Sequence, residues 1–103
     1  MGFEQYHEPP QELPEKTRTF ARMIVSMIEE AEAINWYEQR LVVEKNSEAR
    51  AIMQNAQQEE MKHFSMDLEF LARQKKKFRT ILQEVLFKPG DIVEHGEEAE
   101  EDV

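Results

Sequence analysis

Cysteine is absent from this chain of 103 residues. Disulfides, thiolate nucleophiles and sulfur-ligated zinc are thereby excluded, and the composition suits a reducing compartment. Any chemistry must come from carboxylates and imidazoles. Long apolar runs are missing too: the longest nearly apolar stretch, MIVSMI at residues 23–28, falls far short of the roughly 20 residues that span a bilayer. The opening MGFEQYHEPPQELPEK lacks the basic start and apolar core of an export signal. Tyr6 stands where a myristoylation signal wants Ser or Thr. These absences predict a cytoplasmic protein with no membrane partner.

Positive charge is scarce at the C-terminal end. Residues 91–103, DIVEHGEEAEEDV, hold 7 acidic groups and no Lys or Arg, whereas residues 1–90 balance 15 acidic against 13 basic groups. The formal net charge of −9 therefore comes mostly from the tail. A nucleic-acid binder needs a basic stripe. The one short basic run, RQKKK at residues 73–77, is more simply a solvated helix end where cations suit the dipole. Nucleic acid is not an expected partner.

Glycine and proline are few, 3 and 4 in all, and neither interrupts residues 15–43. Over that span Phe20, Met23, Ile24, Met27, Ile28, Ala31, Ile34, Tyr37 and Leu41 recur at spacings of three and four, the pattern of one long amphipathic helix. Pro14 suits its first turn, where a missing N–H costs nothing. The break falls at EKNSEA, where Asn46 or Ser47 can cap a second helix running to about Lys75. A shorter amphipathic piece with Phe78, Ile81, Leu82, Val85 and Leu86 stops before Pro89–Gly90. The expected organisation is all-α: a flexible segment over 1–13, a helical hairpin with a short third helix over 14–88, and a disordered acidic tail over 89–103. A chain this short closes only a thin core, and each hairpin stripe faces a single neighbour. Two hairpins would complete a four-helix bundle.

Polar residues interrupt the apolar stripes in a specific way. Glu30 lies three after Met27 and four before Ile34, so it points where an apolar residue belongs. On the second helix, QQEEMKH puts Glu60 and His63 at i and i+3, on one face. An inward carboxylate is costly unless it is paired, protonated or bound to a cation. Carboxylates with imidazole suit iron, manganese or zinc. In ferritin-like di-iron carboxylate bundles, two helices each give a Glu and the other two each give a Glu-x-x-His. This chain supplies one of each, which is half a site.

At MIEEAEAINWYEQR and NAQQEEMKH the sequence closely resembles the encapsulated ferritins, a branch of the ferritin-like proteins, over roughly residues 7–88. The resemblance implies that Glu30, Glu60 and His63 ligate a ferroxidase centre completed by the same residues of a second chain. It implies that Tyr37 lies close to that centre with Trp36 beside it, and that Glu29 and Glu32 line the route by which iron enters. It further implies a homodimer, a decameric ring, and oxidation of Fe(II) by dioxygen at a di-iron centre that feeds iron storage in an encapsulin nanocompartment. Shell-packaged members carry a short targeting peptide of apolar and basic residues, which EHGEEAEEDV does not provide. The residues alone leave two competing readings: a manganese- or peroxide-handling ferritin-like protein, and a non-catalytic helical assembly module in which the polar cluster sets register.

Overall fold

Proline and a capping asparagine set the first two helix boundaries. The computed structural model describes residues 5–103, which are helical with no strand among them. A 3-10 turn at Pro10–Glu12 precedes helix α1, Glu15–Val43. Pro14 sits just outside α1 in an extended conformation, and its carbonyl accepts from the amides of Thr17 and Arg18 at 3.0 and 3.1 Å. Helix α2 runs Ser47–Gln74. Asn46 is its cap: the side-chain oxygen accepts from the Ala49 amide at 2.8 Å, satisfying an orphan donor of the first turn.

The chain divides into two compact units, residues 1–68 and 69–103. In the first, α1 and the greater part of α2 form the expected antiparallel hairpin. Arg50 donates to the Leu41 carbonyl near the turn, and one of its guanidinium nitrogens also reaches the Glu44 carbonyl at 3.4 Å. Farther along, Gln57 donates from Nε2 to the Ile34 carbonyl at 3.1 Å and to Glu38 at 2.9 Å. As numbers rise along α2 their partners fall along α1, which fixes the register that brings Glu30 opposite the segment beyond Gln57.

Among the described residues of this unit, Gln57 alone is buried. The stripe from Phe20 to Leu41 is half-buried, apart from an exposed Ala31. Trp36, Ile52, Met61 and Met66 are exposed outright. One hairpin thus covers its apolar stripes on one side only, as the pattern predicts.

The second unit holds the end of α2, then α3, Lys76–Val85, and α4, Ile92–Glu101. Lys75 is extended and separates α2 from α3. Glu69 accepts from Arg73 at 2.7 Å and from Arg79 at 3.5 Å, one on each side of that break. The α3–α4 turn uses positive φ at Phe87 and at Gly90, 63° and 102°. A Cβ at Gly90 would also stand 3.4 Å from the His95 ring.

Helix α4 corrects the expectation of a disordered tail over 89–103. Net charge and low apolar content argue for disorder, but Asp91 accepts from the Glu94 amide at 3.1 Å as an N-cap. Glu94 in the first turn complements the helix dipole. α4 packs against α3, and Ala99 is completely buried. A cap and a small apolar face outweigh composition. Part of the segment expected to be flexible, residues 1–4, lies outside the described residues.

Candidate metal centre

The hairpin register decides which polar side chains meet. Glu60, His63 and Asp67 stand on one face of α2 at i, i+3 and i+7, and Glu30 of α1 lies opposite them. His63 Nδ1 is 3.2 Å from Glu60 Oε1. His63 remains 43 % exposed and Glu60 26 %. Both can still turn toward something arriving from outside the hairpin.

Glu30 is under the greatest strain. Its carboxyl is pushed up to about 7, first by burial, then by a hydrogen bond and charge repulsion from Asp67 and by the charge of Glu60, with His63 opposing. Among the described residues, three buried side-chain polar atoms have no donor or acceptor in reach: Arg18 Nε, Glu30 Oε1 and Asp67 Oδ2. Two of them belong to this cluster. Facing carboxylates are both acceptors when ionised, so they satisfy one another only through a shared proton or an interposed cation. The site asks for positive charge.

The donor set is hard oxygen with one imidazole, which fits iron or manganese. Among the described residues no three such side chains of a single chain gather closely enough to hold a metal ion.

The remaining expected residues are placed as follows. Tyr37, two turns beyond Glu30 on the same face, is half-buried, with the Arg40 guanidinium 5.2 Å above its ring. Trp36 is 52 % exposed. Glu29 is exposed and Glu32 half-buried on the same helix. Asp67 was not anticipated from the sequence. Its signal is an acid four residues after His63, one helical turn on along the same face.

An all-helical hairpin with an inward Glu facing a Glu-x-x-His defines a ferritin-like protein. The sequence pattern of the EncFtn-like family matches residues 5–89, and the chain belongs to that family. It is 42 % identical over 95 residues to a ferritin-like protein of Thermotoga maritima, covering 92 % of this chain and 83 % of the relative. It is 41 % identical over 86 residues to an encapsulated ferritin-like protein of Rhodospirillum rubrum, covering 84 % of this chain and 61 % of the relative. A crystal structure of a Nitrosomonas europaea protein, 38 % identical, superposes with a TM-score of 0.82 over 86 % of this chain and 98 % of that one. Membership implies an iron-related, ferritin-like role. No described helix is long and apolar enough to cross a membrane.

Proposed function

We propose that this protein is a ferroxidase in which two chains face each other across a two-fold axis. Glu30, Glu60 and His63 of each chain bind Fe(II) as substrate, forming a di-iron centre shared between subunits. The observation that carries this reading is the half-buried Glu30 carboxyl, pushed up to about 7 beside Asp67, Glu60 and His63, with its Oε1 sealed from water and without a donor. On iron arrival Glu30 gives up its proton and becomes an anionic donor. Glu60 releases His63, whose imidazole meets the iron through a ring nitrogen that carries no proton, any proton on that nitrogen passing to solvent. Dioxygen accepts one electron from each of the two Fe(II) and two protons from solvent, leaving as hydrogen peroxide; full reduction to water takes the electrons of four Fe(II). Glu29 and Glu32 attract the incoming cation, while Trp36 and Tyr37 shape the surroundings.

The half-covered apolar stripes support pairing of hairpins, and the likeness to an encapsulated relative supports a larger ring housed by an encapsulin shell, where Fe(III) would be stored. The test is anaerobic Fe(II) titration followed by oxidation with dioxygen or peroxide, for the parent, Glu60→Ala and His63→Ala. Rapid oxidation by dioxygen in the parent alone is expected. Faster turnover with peroxide would favour the peroxide-handling reading. Parent-like rates in both variants would leave an assembly module.

A further inference from the structure

We infer that Gln57 is a positioning residue whose side-chain amide locks α1 and α2 at the register in which Glu30 stands opposite Glu60 and His63. The inference rests on the iron-oxidising reading and gives a part in it to a side chain which that reading does not use.

Gln57 is buried, with 8 % of its surface exposed, although it is polar. Its Nε2 donates to the Ile34 carbonyl at 3.1 Å and to Glu38 Oε1 at 2.9 Å, so both amide hydrogens are spent on the facing helix. Ile34 and Glu38 stand one turn apart on α1. Two donors that must reach two such acceptors at once fit one register. A slip by one residue moves a helix by about 1.5 Å and turns it by about 100°, which breaks both bonds and leaves a buried amide without acceptors.

The place of this tie gives it a bearing on the chemistry. Glu30 lies four residues before Ile34, and Glu60 lies three residues after Gln57. In an antiparallel pair those two steps lead the same way, so the tie sits one turn from the proposed ligands on both helices. The apolar residues around it offer little resistance to sliding. Met23, Met27 and Met53 are half-buried, and such unbranched side chains refit readily to a shifted neighbour. Ala49 and Ala56, which flank Met53 on α2, add no shape that would oppose a slip. A buried polar group is a known means of fixing register where an apolar seam does not. Arg50 ties the helices again at the turn, through the Leu41 and Glu44 carbonyls, but it lies ten residues from Glu60.

Gln57→Met, Gln57→Glu and Arg50→Met are compared with the parent by anaerobic Fe(II) stoichiometry, by kcat for Fe(II) oxidation, by the visible absorption of Co(II) bound in place of iron, and by circular dichroism melts. Gln57→Met keeps the length of the side chain and loses both donors. It is expected to bind the parent amount of iron, because Glu30, Glu60 and His63 remain, and to alter the Co(II) band shape. Its kcat should fall by up to about 100-fold, the cost of roughly 1 Å of misplacement. Arg50→Met loosens the turn and is expected to lower Tm while keeping the parent kcat and band shape. Gln57→Glu supplies a readout that a merely structural role would not move. A protonated carboxyl at position 57 donates one hydrogen bond, whereas an ionised one meets the Ile34 carbonyl and the Glu38 carboxylate as a third acceptor. Burial and the Glu38 charge hold that carboxyl above the ordinary range. The kcat of Gln57→Glu relative to the parent is therefore expected to fall as pH rises, and its Co(II) band to move from the parent shape to that of Gln57→Met. A parent-like kcat and Co(II) absorption in Gln57→Met would overturn the inference. So would an Arg50→Met that loses as much kcat as Gln57→Met, since the stability of the hairpin and not its register beside Glu30 would then set the rate. If Gln57→Met does not fold, Gln57→Glu carries the test, and a ratio that is flat with pH overturns the inference. Failure of the parent itself to bind and oxidise iron would overturn the iron reading underneath, which separates the two failures.

Discussion

Glu30 couples acidity to stability at the scale of a single residue. Its carboxyl titrates at about 7 in the fold against an ordinary 4.5. Below 4.5 it is protonated in folded and unfolded chains alike and costs nothing. As pH rises through 7 the folded chain must hold an unfavourable buried charge, so stability present at low pH is lost across that window. Thermal melts of metal-free parent between pH 4.5 and 8 should show this decline, and Glu30→Gln should flatten it while abolishing rapid iron oxidation. An unchanged slope in Glu30→Gln would remove Glu30 as its source. Tyr37→Phe should be milder, within the roughly 10–100-fold range of a supporting group, as initial oxidation rates will show. Glu30, Glu60 and His63 were legible in the sequence because acids and imidazole interrupt apolar stripes at helical spacing. Asp67 was not. It comes into view only once the hairpin register brings the face of α2 beyond Gln57 toward Glu30.

Helix ends are where element-scale predictions belong. Asn46 satisfies the Ala49 amide at 2.8 Å, and replacing such a cap by Ala typically costs about 1 kcal/mol. For a domain of this size that corresponds to a fall in Tm of roughly 4–8 °C, to be read by circular dichroism melts of Asn46→Ala. Asp91→Ala should act more locally, because the α4 cap is lost while α1 and α2 keep theirs. Hydrogen exchange should then accelerate over residues 92–101 and stay unchanged over 15–43. Uniform acceleration would make α4 part of one cooperative whole. The three earlier helices were readable from period and punctuation. α4 was not, because the seven acids of residues 91–103 dominate any composition argument, while its cap and the single buried Ala99 occupy two positions. The EncFtn-like match ends at residue 89, so α4 is also the element outside the family pattern.

At the scale of the molecule, stoichiometry and assembly must move together. Each hairpin leaves its stripes half-covered and carries Glu30, Glu60 and His63, half of the six ligands that a ferritin-like di-iron centre draws from four helices. That count is what suggests a second copy, whereas its placement requires surfaces that no single-chain pattern encodes. Across a two-fold axis, unfilled acids of one chain would face those of the other, so repulsion weakens the metal-free pair. In the proposed shared centre, Fe(II) would replace that repulsion with coordination. Tight iron binding should saturate at about one iron per chain, and the dimer measured by anaerobic sedimentation should strengthen over the same range of added iron. Glu30→Ala should separate the two effects: it removes two facing carboxylates per pair, so the metal-free dimer tightens even as iron-driven strengthening disappears. High salt should mimic the first effect in the parent by screening. A monomer that binds two irons tightly would refute the shared centre, because the ligands of one chain would then suffice.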